Sequence, residues 1–129
     1  MLVNEDQFRE SPLLAVRAAE VAGVMVVMVD GEIDVDTADI VMDALRLGFE
    51  SGCPAVVADL TAVSFFGSTG ISTLITAHEL ADDYMTKLHV VAPHRAVKRP
   101  LQVTGVAEVL SLHDSVDEAL SVLKPVPSE

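Results

Sequence analysis

The stretch Asp59-Leu60-Thr61-Ala62-Val63-Ser64-Phe65-Phe66-Gly67-Ser68-Thr69-Gly70 runs from an apolar segment through a turn into a helical period. Ala55 to Leu60 is a short apolar run bounded by turn residues, the pattern of a buried strand, and Val63 to Phe66 extends it. Downstream a helix is expected from about Thr69 to about Met85, with Ile71, Leu74, Ile75, His78 and Ala81 on one face. A buried strand that feeds a helix this directly fits an α/β sandwich whose central strands are covered by helices.

The flanking segments repeat the alternation. Leu13 to Val21 and Val24 to Val29 read as two strands joined by a tight turn at Ala22-Gly23, with Asp30-Gly31 ending the second. From Asp36 the period changes. Ala38, Val41, Leu45 and Phe49 share a helical face, with Ile40 and Ala44 beside it; Asp36 or Thr37 is the candidate N-cap, and Ser51-Gly52 before Pro54 the stop. Leu88 to Ala92 is a further buried strand closed by Pro93. Arg95 to Thr104 forms a third helix, short or kinked by Pro100, and Val109 to Leu112 a last short strand. Ser115-Val116-Asp117-Glu118 is a capping box opening a final helix, and Pro125 and Pro127 make a frayed tail. The expectation is an α/β sandwich in one domain over residues 1–129, its core between about Leu13 and Leu123.

Composition narrows the partners. Eight Lys and Arg against twenty Asp and Glu give a net charge of -12, which repels nucleic acid and anionic membrane. The lone Cys53 cannot form an internal disulfide and has no zinc-site spacing, as expected of a reducing compartment. The polar, acidic N-terminus is no secretory signal and the longest apolar run is too short for a bilayer, so the cytoplasm follows by elimination.

Ser68 falls where backbone N–H groups emerge at a helix start, a place that favours a hydroxyl or a phosphate. On spacing alone, Ser68 or Thr69 reads more readily as an N-cap worth about 1 kcal/mol. Catalytic motifs fail on detail. A nucleophile elbow needs Gly two residues before the serine, where Phe66 stands, and a Walker loop needs a Lys that is absent between Gly67 and Gly70. Asp30, Glu32, Asp34 and Asp36 alternate like a calcium loop, but Val35 occupies its glycine position and Val41 that of its terminal Glu, leaving a solvated acidic loop. His78 is expected as a half-buried packing residue, and His89, His94 and His113 on the surface. No catalytic residue, metal site or cofactor is expected.

Three separated segments resemble the STAS family, specifically the small bacterial anti-anti-sigma factors. Val29-Asp30-Gly31-Glu32-Ile33-Asp34 with Thr37-Ala38 is similar to the family's second strand and the loop opening its first helix. Asp59-Leu60 through Phe65-Phe66-Gly67-Ser68-Thr69-Gly70 resembles the signature in which a strand meets Asp-Ser-Ser-Gly or Asp-Ser-Thr-Gly and a helix begins. Ala92-Pro93 with Ala96-Val97-Lys98-Arg99 and Thr104-Gly105 resembles the later strand and helix.

The resemblance implies a four- to five-stranded mixed sheet with helices packed largely on one side. It also implies a non-enzymatic, cytoplasmic phosphoprotein of transcription regulation, in circuits such as the stress response. Its partner would be an anti-sigma factor that is also a serine kinase. The unmodified protein binds that factor and frees a sigma factor; phosphorylation, at Ser68 here, breaks the complex, and a phosphatase would act on phosphorylated Ser68. Gly67, Ser68, Thr69 and Gly70 would line the partner-binding site, with Asp34 a polar contact. Gly67 departs from the family pattern, which has Asp immediately before the serine, and Thr69 is the alternative acceptor. Without that Asp the chain also fits a non-switching scaffold subunit of a sensor or lipid-transport assembly.

Overall fold

The computed structural model describes residues 9–11 and 13–123 of the chain. Strands β1 (Arg9–Ser11), β2 (Leu14–Val21), β3 (Val24–Ile33), β4 (Ala55–Phe66), β5 (Lys87–Val91) and β6 (Ser111–His113) form one sheet in sequential order. Helices α1 (Ala38–Glu50), α2 (Ser68–Asp83), α3 (Arg95–Val103) and α4 (Val116–Leu123) follow β3, β4, β5 and β6. The five strands from Leu14 onward make the expected mixed sheet, and three-residue β1 adds an antiparallel edge. The frayed tail expected at Pro125 and Pro127 lies outside the described residues.

β2 and β3 are antiparallel through a two-residue turn in which Ala22 (φ 54°) and Gly23 (φ 82°) are both left-handed, the hairpin geometry matching strand twist. β3, β4, β5 and β6 are parallel neighbours. Each crossover steps to the next strand in the same direction, so connections of one hand lay α1, α2 and α3 on one face. There Val27, Val29, Val56, Ala58, Leu60 and Val90 pack against Val41, Leu45 and Phe49 of α1, Leu74 and Ala77 of α2, and Val97 and Leu101 of α3. On the other face Val24, Val26, Ala55, Val57 and Val91 meet Ala119 of α4.

Several expectations need correction. Asp30-Gly31 does not end the second strand; β3 continues to Ile33 through register shifts against β4 on either side of this pair. Gly31 (φ 126°) lets Leu13 approach so closely that an added Cβ would lie 2.1 Å from the Leu13 carbonyl oxygen, so this glycine is a bulge rather than a stop. The buried face of α2 is Gly70, Leu74, Ala77 and Ala81, rotated from the one expected, because small residues bring the helix closer to its neighbours. Finally, His89 and His113 are half-buried and adjacent rather than separate surface residues, whereas His78 is half-buried as expected.

The last strand begins at Ser111 and not at Val109, which closes a 3-10 turn over Val106–Glu108; the other elements hold. Gly52 (φ 86°) follows the end of α1 at Ser51, and the Ser115 hydroxyl accepts from the Glu118 amide at 3.0 Å as the capping box requires. Among the described residues, no helix is long and apolar enough to cross a membrane.

Candidate functional site

The site is built where two neighbouring parallel strands end. Ile33 pairs with Phe66 in the β3–β4 register, so the loop entering α1 and the turn entering α2 leave the sheet side by side. Ser64 strengthens the seam, its hydroxyl donating to the Gly31 carbonyl at 3.3 Å. Alternation along β4 then buries Phe66 in the core and turns Phe65 outward, 51% exposed.

Gly67 is the residue that caps α2, in extended backbone (φ -104°, ψ -161°), and Ser68 is the first residue of the helix. Ser68 is therefore not the cap; its side chain is exposed and, among the described residues, has no hydrogen-bond partner. The first bond of the helix runs from the Ile71 amide to the Gly67 carbonyl at 3.2 Å. The amides of Ser68, Thr69 and Gly70 are thus left without intrahelical acceptors, at the positive end of the helix dipole. Gly70 is fixed by contact: an added Cβ would lie 2.5 Å from the Phe66 ring. That ring seated on a bare backbone sets the angle at which α2 leaves the strand. Thr69 is half-buried, and its carbonyl accepts the Thr73 hydroxyl at 2.8 Å.

Across the seam, Asp34 is engaged by its own loop. Its Oδ1 accepts from the amides of Asp36 at 2.9 Å and Thr37 at 3.2 Å. Thr37, 1% exposed, accepts from the Asp34 amide at 2.9 Å and donates to the Glu32 carbonyl at 2.8 Å. Thr37 precedes the first residue of α1, yet its hydroxyl turns back into the loop instead of capping the helix. This local network holds the acidic loop beside α2 and leaves Val35 projecting, 75% exposed.

Gly67, Ser68, Thr69 and Gly70 thus form one continuous corner, with Asp34 in the adjoining loop. Two apolar residues of this corner, Phe65 and Val35, escaped the sequence reading. Period-two alternation was the signal for Phe65, since only one of two consecutive strand residues can face the core. Between α1 and α2, a shallow groove lined by Asp39, Met42, Thr69, Ser72, Thr73 and Thr76 opens beside Thr69.

The STAS domain pattern matches residues 15–119. The anti-sigma-F factor antagonist RsfB of Mycobacterium tuberculosis is 32% identical over 108 residues, covering 84% of this chain and 88% of that protein. An anti-sigma factor antagonist from Mycobacterium paratuberculosis superposes with a TM-score of 0.81 at 32% identity, over 91% of this chain and all of that one. SpoIIAA in its unphosphorylated form, 14% identical with a TM-score of 0.68 over 88% of this chain and all of that one, shares the fold. Sequence pattern, relative and fold coincide over nearly the same residues, and the chain belongs to the STAS domain family.

Proposed function

We propose that the chain is an anti-sigma factor antagonist that binds an anti-sigma factor through the corner formed by Gly67, Ser68, Thr69 and Gly70. Phosphorylation of Ser68 by the serine-kinase activity of that factor breaks the complex. The carrying observation is the exposed, unbonded Ser68 hydroxyl at the first position of α2, beside three backbone amides without intrahelical acceptors. Relatedness to an anti-sigma-F factor antagonist at 32% identity supports the choice of partner.

The physics of the switch is local. A phosphate adds about -1.5 to -2 charge, which the helix start can hold without unfolding anything. An interface built on Phe65 and Ser68 would then have to desolvate that charge. A loss of about 1.4 kcal/mol weakens binding tenfold, so imperfect pairing of the phosphate suffices to release the partner. Asp34 and Thr37 act by holding the neighbouring loop in place. The domain contributes a binding surface and performs no chemistry of its own, and it acts in the cytoplasm.

The test is retention of an anti-sigma factor from an extract of the source cells by wild type, Ser68→Ala and Ser68→Glu. Retention by the first two and loss with Ser68→Glu is the expected result. Equal retention by all three would overturn the switch and favour a non-switching scaffold.

A further inference from the structure

Three of the chain's eight basic residues, Arg95, Lys98 and Arg99, fall within five positions at the start of α3, in a protein of net charge -12. Val97 and Leu101 bury the inner face of this helix. Lys98 is neutralised by Asp114 at 2.6 Å. Arg95 and Arg99 are exposed, and among the described residues neither has a carboxylate partner. The stability of α3 does not account for them. Cations in a first turn oppose the helix dipole, like charges four residues apart repel, and no acidic residue sits in that turn to compensate.

Arg95, Arg99 and Val103 recur at intervals of four and so form one stripe along the outer face of the helix. Val103 is 71% exposed. The stripe therefore presents two guanidinium forks, spaced about 6 Å apart along the axis, followed by an uncovered apolar side chain. Arginine forks pair bidentately with carboxylates. Two carboxylates one helical turn apart have the matching spacing. A long polyanion such as nucleic acid, or an anionic membrane, would meet the repulsion of the remaining acidic surface; a short acidic segment would not.

We propose that the Arg95–Arg99–Val103 stripe of α3 is a docking surface for an acidic segment of a partner protein, presenting two carboxylates one helical turn apart and then an apolar residue. The stripe includes none of Gly67, Ser68, Thr69 and Gly70, and its occupancy does not depend on phosphorylation.

The test is an amide NMR titration of the full chain with a synthetic helical peptide carrying Glu, Glu and Leu at four-residue intervals. A peptide with Lys in place of Glu and a short single-stranded DNA serve as controls. Shifts are expected to concentrate between Arg95 and Val103, and binding is expected to weaken as salt rises. The double variant Arg95→Ala/Arg99→Ala should bind at least about tenfold more weakly while its spectrum shows the fold retained, and Val103→Ser a few-fold more weakly. Ser68→Glu should bind the peptide like wild type, which separates this surface from the proposed switch. No binding at millimolar peptide, equal binding by the double variant, shifts centred elsewhere, or tighter binding of the DNA or the Lys peptide would each overturn the proposal.

Discussion

His89 Nδ1 lies 3.0 Å from His113 Nε2, joining the neighbouring parallel strands β5 and β6 through stacked rings whose centroids are 5.2 Å apart. A bond of this kind needs one ring nitrogen to donate and the other to accept, so the two rings cannot both be fully protonated and keep it. Glu118 of α4 faces His113 at 3.7 Å. Burial, then the neighbouring His113, then Lys87 hold the His89 imidazole below its ordinary pKa of 6.5.

That direction fixes a pH dependence. With the folded pKa depressed, the unfolded chain binds the proton more readily, so this share of stability is complete above about pH 6.5 and is lost as pH falls through the folded value. Urea midpoints measured between pH 8 and pH 5 should fall on the acid side. In His89→Asn the fall should be shallower, because the depressed imidazole is gone. An identical slope in the variant would remove His89 from the cause.

Gly70→Ala is expected to destabilise the fold, although alanine is the better helix former by about 1 kcal/mol. The new methyl would lie 2.5 Å from the Phe66 ring, which is buried in the core beside Ile33. Displacing the ring costs about 1–3 kcal/mol, enough to outweigh the propensity gain. A lowered denaturant midpoint is the expected reading; an unchanged or raised one would show that the ring yields without cost.

How far the sequence carried the reading depends on the range of the interactions. Alternation of buried strands with amphipathic helices made the sheet legible, and Ser115 through Glu118 announced α4 because a capping box is local. The glycine at position 31 was ambiguous: a stop and a bulge share the same residue, and only the approach of Leu13 distinguishes them. His89 and His113, 24 positions apart, carry no spacing signal; register between β5 and β6 brings them together. The corner at Ser68 was legible from the strand-to-helix transition, while the inward turn of the Thr37 hydroxyl depends on the adjoining Glu32 carbonyl.

Phe65→Ala should separate binding from folding. The side chain is 51% exposed on the strand that leads to Ser68, so its removal should change stability by no more than about 0.5 kcal/mol. As an exposed aromatic beside the corner it has the character of an interface anchor, and its loss should weaken binding of the proposed anti-sigma factor partner by roughly tenfold or more. Calorimetric titration against that factor, paired with a thermal melt, reads both quantities. Unchanged affinity would place the interface elsewhere.

Gly67→Asp restores the carboxylate that the family pattern has before the serine. The backbone there is extended and open to any residue, and an added Cβ would stand 3.5 Å from the Phe65 ring, an ordinary contact. Asp is a preferred N-cap, better than Gly by a few tenths of a kcal/mol, and the amides of α2 are available to it. The melting temperature should rise by about 1–2 °C. The same carboxylate would stand next to Ser68, the proposed phosphate acceptor, where it can contact the proposed kinase or its magnesium ion, so phosphorylation there should run faster than in wild type. A raised melting temperature with an unchanged rate would make the aspartate a cap and nothing more, and Gly67 would then be no obstacle to the switch. A faster rate would identify Gly67 as the residue that slows phosphorylation of this chain.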